Sequence, residues 1–281
     1  MSTRSTTPPH TVADLADRVL AGSEGPAPAG LVGTSVFWLH HGTRLAGGDT
    51  TYRNRYVLVR SGRSFGACAF EEGELDPAIC GAASGSPLAT LIEQGPAALR
   101  IAALDAYLAE VRPHQADSRA ETVQLPAGDP LVRAKARDAA IAGLLDIGPG
   151  ARVGLIGVVN PLVAAIRERG GECLPCDLNL RSTQWGDVVT DSMTEVLDEA
   201  DAIVATGMTL SNGSFDEILH RCVERGIALI VYAQTGSAIA RAFLGSGVTA
   251  VSAEPFPFSQ FSADPTTLYR YREAPGEVVR R

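Results

Sequence analysis

The chain lacks any apolar run of the ~18 residues that a membrane helix requires, so no membrane partner is expected. Basic charge is also short: Lys and Arg total 24 against 32 Asp and Glu, a formal net charge of -8. That balance supplies no basic face to neutralise phosphates, which argues against a nucleic-acid partner. Cysteine is scarce and odd in number, five in 281 residues. An odd count in a chain of this size does not suit a disulfide framework and leaves free thiols or metal ligands. The N-terminal residues are rich in Ser, Thr and Pro rather than basic and then apolar, so no secretory signal is read and a cytoplasmic address is expected.

What is present is globular: 45% of residues are hydrophobic and 20% charged. Single cores stop growing near roughly 250–300 residues, so this length suits two domains. The expected division is a disordered leader over 1–9, an α+β domain over 10–125, a Rossmann-like ligand-binding domain over 126–258 and a tail over 259–281. In the first domain Val12, Leu15, Val19 and Leu20 recur at helical spacing and the helix ends at Gly22. Leu31–His40, Tyr56–Arg60 and Ser64–Phe70 read as a small antiparallel meander, covered by helices over Leu88–Glu93 and Pro96–Val111. The polar, Pro- and Gly-punctuated stretch Arg112–Asp129 reads as the connection, followed by a helix over Asp129–Leu145.

From Arg152 strands alternate with helices. Val153–Val158, Glu172–Cys176, Ala202–Thr206, Ile227–Tyr232 and Val248–Ser252 read as five strands, with crossover helices after Pro161, near Thr194, from Phe215 and after Ser237. That alternation marks a mostly parallel, doubly wound sheet, and the fold class is α/β.

The turn after the first of these strands reads Gly154-Leu-Ile-Gly157-Val158-Val-Asn160-Pro161, where a dinucleotide site would carry its glycine fingerprint. The fingerprint is incomplete, which disfavours a pyrophosphate and leaves room for a nucleoside without one, such as S-adenosylmethionine. Asp177, about twenty residues beyond Gly157, ends the second strand, where an acidic side chain commonly takes ribose hydroxyls. The competing reading is a loop aspartate or helix cap. Thr206-Gly207-Met-Thr209-Leu-Ser-Asn212-Gly-Ser214 leaves the third strand with small and hydroxyl side chains that admit a ligand close to the backbone. Its bland alternative is a hydroxyl-rich turn, with Ser214 capping the next helix.

Cys173 and Cys176 form one Cys-x-x-Cys, two ligands where a structural zinc site needs four. In an extended strand they face opposite sides, so they share a metal only if Pro175 bends the chain; otherwise they are packed thiols. His40 and His41 likewise point to opposite faces, so one of them is the expected ligand. With Asp49, Tyr52, Arg53, Asn54 and Arg55 they make an unusually polar segment in which an arginine can pair with a substrate carboxylate. A solvated hairpin edge is the alternative.

The Thr206–Ser214 run, the Asn160-Pro161 turn and the compact preceding domain resemble the bacterial and archaeal family labelled "putative heavy-metal chelation", over about residues 12–255. The resemblance implies an enolase N-terminal-like domain before a Rossmann-like one. A departure is Ala233-Gln-Thr-Gly-Ser237, where the family carries a Gly-Pro-Ser type of turn.

The expected function is a metal-dependent lyase or cyclase acting on S-adenosylmethionine, releasing methylthioadenosine and a small cyclic amino acid such as 1-aminocyclopropane-1-carboxylate. Catalytic residues would be His40, His41, Tyr52, Arg53 and Arg55. Ligand contacts would come from Gly157, Val158, Asn160, Asp177, Thr206, Gly207, Thr209 and Asn212. A divalent metal, zinc first, would sit on His40 or His41, with Cys173 and Cys176 as further candidates. The alternatives are a non-catalytic metal-chelating or metal-handling protein and a methyltransferase. The expected partner is a small nucleoside ligand, and the expected assembly extends to a homodimer.

Overall fold

A computed structural model describes residues 8–44 and 51–273, without the side chain of Tyr52. Residues 1–7 of the expected leader, Asp49 and residues 274–281 of the expected tail lie outside the described residues.

Helix α1 (Val12–Leu20) starts where the Thr11 side chain accepts the Asp14 N–H at 3.0 Å and stops before Gly22, whose φ of 75° favours glycine. Strands β1 (Ser35–Arg44), β2 (Thr51–Ser61) and β3 (Ser64–Ala69) form the antiparallel meander in the order β1-β2-β3. Three helices follow: α2 (Ile79–Ala83), which the sequence reading omits, α3 (Leu88–Gln94) and α4 (Ala97–Val111). The last packs so closely on β3 that a Cβ at Gly66 would overlap the backbone of Ala102 and Ala106.

The rest of the chain forms β4 (Glu121–Leu125), α5 (Pro130–Ala142), β5 (Arg152–Ile156), α6 (Asn160–Glu168), β6 (Glu172–Cys176), α7 (Met193–Glu199), β7 (Ala202–Thr206), α8 (Phe215–Arg225), β8 (Ala228–Ala233), α9 (Ser237–Ala242), β9 (Ala250–Ala253) and β10 (Thr266–Arg272). The large sheet runs β4-β10-β9-β8-β7-β5-β6, with β9, β8, β7, β5 and β6 parallel. The α/β class and the five parallel strands agree with the alternation in the sequence. The sheet is nevertheless seven-stranded. β10, from the expected tail, lies antiparallel between β9 and β4, and β4 comes from the expected connection.

The parallel strands are wound in the 2-1-3-4-5 order, which reverses direction between β5 and β7 and opens a crevice at their carboxyl ends. Helices α5 and α6 cover one face, where Val153, Leu155, Val204 and Ile230 are buried. Helices α7, α8 and α9 cover the other, and that core continues without a break into Leu15, Val57, Leu99 and Tyr107 of the N-terminal unit. The two halves therefore share a core. Asp105 of α4 ties them, its carboxylate accepting N–H groups from Ala67 at 3.0 Å and Ala238 at 2.8 Å. No helix among the described residues is long and apolar enough to cross a membrane.

Candidate functional site

A cavity of about 390 Å³ lies over the carboxyl ends of β5, β7, β8 and β9, between the β1–β2 hairpin and α5. Its volume is within the range typical of small-molecule sites, roughly 300–1,000 Å³. At the switch point Gly157 (φ 88°) approaches β7 so closely that a Cβ would overlap the Thr206 side chain, and its carbonyl accepts the Tyr232 hydroxyl at 2.6 Å. The turn after β5 is thereby fixed against β7 and β8.

Asp177, at the end of β6, lines the cavity. Its Oδ2 accepts the Val158 N–H at 2.9 Å, while Oδ1 accepts those of Asn179 at 2.8 Å and Leu180 at 3.0 Å. A carboxylate oxygen offers two lone pairs, so the described donors fill Oδ1 and leave one position on Oδ2. Asp177 thus serves as the loop cap, its carboxylate holding the Val158 turn and the start of the loop after β6.

Of the residues expected to contact the ligand, Gly157, Val158, Asp177 and Thr206 line the cavity. Asn160, Gly207, Thr209 and Asn212 are placed elsewhere. The Asn160 side chain is buried and accepts the Gln184 N–H at 3.0 Å, holding the loop after β6. Gly207 permits a close approach to the Thr235 carbonyl, and Thr209 donates back to the Thr206 carbonyl at 2.7 Å. Asn212 points to solvent and accepts the Ser214 N–H at 3.1 Å, so Asn212 rather than the Ser214 hydroxyl serves the start of α8. Short polar side chains here satisfy their own backbone, the hydroxyl-rich-turn alternative.

On the hairpin, register pairs His41 with Asn54 and both line the cavity, whereas His40 pairs with Arg55 on strand positions that do not. His40 is exposed, and Arg55 is engaged by Glu72 at 2.8 Å. Arg53 is an exposed residue of the wall, and the Tyr52 side chain lies outside the described residues. The His41 ring packs on Tyr56 and Phe261, with centroids 5.5 and 5.3 Å away. Burial first, and the neighbouring His40 second, hold its pKa below the ordinary imidazole value, so it is neutral near pH 7. Its Nε2 is buried and has no hydrogen-bond partner among the described residues.

Cys173 and Cys176 pack into different cores on opposite faces of the large sheet, so Pro175 does not turn them to one point. Burial pushes their pKa up to about 12 and about 11, away from the thiolate that binds metal. Among the described residues no three His, Cys, Asp or Glu side chains converge as metal ligands. The donors among the described residues do not make a zinc centre.

The floor of the cavity was not foreseen. Glu254, just past β9, is 2% exposed; its Oε2 accepts Gln234 Nε2 at 2.7 Å and its Oε1 the Ser259 N–H. Gln260 bridges to Gln234, and Ser252 Oγ is buried without a partner among the described residues. Arg137 and Arg133 reach the cavity from α5. Arg133 is consumed by carbonyls of Pro126, Ser259 and Asp264 and by Thr266 Oγ1, pinning α5 to the segment before β10. Among the described residues Arg137 makes one hydrogen bond, Nε to Asp138 Oδ1 at 2.7 Å.

These features define a doubly wound α/β protein with a cavity at its topological switch point. Residues 139–254 match the model of the DUF364 family, described as "Putative heavy-metal chelation". Two solved structures from that family share the fold. A protein from Desulfitobacterium hafniense DCB-2 is 14% identical with a TM-score of 0.59, covering 91% of this chain and 96% of its own. One from Pyrococcus horikoshii is 18% identical with a TM-score of 0.51, covering 85% of each chain. Both are described as proteins of unknown function. No curated protein matches the chain.

Proposed function

We propose that the protein is an enzyme that binds S-adenosylmethionine, or a ligand of the same adenosyl class, at the carboxyl edge of the large sheet and releases methylthioadenosine. The observation that carries this reading is Asp177, fixed beside the Gly157 turn with one acceptor position open to the cavity. Because the Val158 N–H is spent on Asp177, the turn has lost a donor that a pyrophosphate would need, which favours a nucleoside without one. The family description names metal, but the described residues supply one cavity imidazole and no converging ligand set, so no step here is routed through a metal.

Release proceeds by internal displacement. The sulfonium C–S bond breaks and its electron pair leaves on methylthioadenosine, as a group of the amino-acid end forms a new bond to the γ-carbon. One proton is lost in closing the ring, and neutral His41, whose Nε2 has no hydrogen-bond partner among the described residues, is the base that accepts it. The product is a small cyclic amino acid. Incubating purified protein with S-adenosylmethionine and following products by mass spectrometry tests the reading. Methylthioadenosine with an equal amount of cyclic product supports it, S-adenosylhomocysteine indicates methyl transfer, and retained metal with neither product indicates chelation.

A further inference from the structure

We propose that Arg137 and Glu254 form a zwitterion subsite on the cavity floor, which takes the carboxylate and ammonium of an α-amino-acid head group. The proposal deepens the adenosyl reading and rests on it for the nucleoside half of the ligand.

Arg137 projects from α5 with its side chain 17% exposed. Its Nε is held at 2.7 Å by Asp138, which is fully buried, and its terminal nitrogens make no hydrogen bond among the described residues. A guanidinium anchored through Nε presents its two terminal N–H groups as a fork, the geometry that binds a carboxylate bidentately. Arg133 beside it has every nitrogen engaged by the protein, so of the two α5 arginines that reach the cavity Arg137 is the one with an open fork among the described residues. Burial opposes the guanidinium charge, but the carboxylates of Asp138 and Glu254 overcome that cost and raise its pKa, so it stays charged.

Glu254 contributes the opposite sign. Each of its oxygens accepts one protein donor, Gln234 Nε2 and the Ser259 N–H, and each retains a lone pair. It feels the Arg137 charge without an ion pair between them among the described residues, and both side chains line the same cavity. Ser252, 2% exposed, adds a hydroxyl without a partner among the described residues on the same wall. Buried charges with open hydrogen-bonding positions are costly in an empty site, and a zwitterion compensates both at once.

Calorimetry with four probes tests this: S-adenosylmethionine, its decarboxylated form, methylthioadenosine and L-methionine. Wild-type protein is expected to bind S-adenosylmethionine at least roughly tenfold tighter than the decarboxylated probe. Arg137→Gln should bring that ratio near one while methylthioadenosine affinity stays unchanged. A wild-type ratio near one overturns the subsite, as does an unchanged ratio in folded Arg137→Gln. The wild-type comparison decides even where the variant fails to fold. If methylthioadenosine does not bind but L-methionine does, and Arg137→Gln abolishes that, the adenosyl reading fails and the subsite stands. Binding of none of the four overturns both.

Discussion

Asp105 on α4 accepts the Ala238 N–H at the start of α9 at 2.8 Å, and the same carboxylate accepts the Ala67 N–H from β3 at 3.0 Å. Burial pushes its pKa up to about 6, against the pull of these N–H groups, whereas the unfolded chain has the ordinary value of 3.8. Between the two values the folded state holds a proton that the unfolded state has lost, so this group's contribution to stability falls as pH rises from about 4 to 6. Asp105→Asn removes the titration and leaves one acceptor oxygen for two sets of donors, a cost of about 1–3 kcal/mol. Urea unfolding should show a larger deficit against wild type at pH 4.5 than at pH 7. A deficit that grows with pH contradicts the assignment.

His114 works in the opposite direction. It is buried, with Nδ1 2.8 Å from the Tyr271 hydroxyl and Nε2 3.3 Å from Ser237 Oγ. Burial first, then Arg241, push its pKa down to about 3 from 6.5. The unfolded chain takes up a proton that the native state refuses, so the contribution is full above pH 6.5 and is lost as pH falls toward 3. The stability difference between wild type and His114→Gln should therefore shrink on acidification from pH 7 to 4.5, by up to about 1.4 kcal/mol per pH unit. A difference independent of pH would mean that the imidazole titrates alike in the folded and unfolded chain, which contradicts the assignment.

The thiols should behave as packed side chains. Cys68, Cys173, Cys176 and Cys222 are buried and Cys80 is half-buried. A thiol reagent on folded protein at pH 8 should label Cys80 first and the other four only on unfolding. The Cys173→Ser, Cys176→Ser double variant should retain the metal content of wild type by elemental analysis. Loss of metal in that variant would restore the Cys-x-x-Cys as a ligand pair.

The parallel sheet was legible because each buried strand carries an apolar run and each crossover a helical period, both local signals. β4 and β10 were not, since Glu121–Leu125 and Thr266–Arg272 become strands by pairing with each other across more than a hundred residues. Asp177 was readable from its distance beyond Gly157, but the hydroxyls and amide of Thr209 and Asn212 could not be told from ligand contacts until their own backbone was seen to take them. The Arg137 fork depends on where α5 docks, which no local pattern specifies. Glu254 did carry a signal: it follows directly on β9, at the strand end where ligands gather in doubly wound sheets.

The central claim is adenosyl binding at Asp177, and calorimetric titration of wild type, Asp177→Asn and Asp177→Ala with S-adenosylmethionine and with methylthioadenosine tests it most directly. Saturable binding of both ligands at one site is expected in wild type. Asp177→Ala should weaken both at least roughly tenfold, about 1.4 kcal/mol. Asp177→Asn, which keeps one acceptor oxygen, should fall between. No binding to wild type, or equal affinity in a folded Asp177→Ala, would contradict the account.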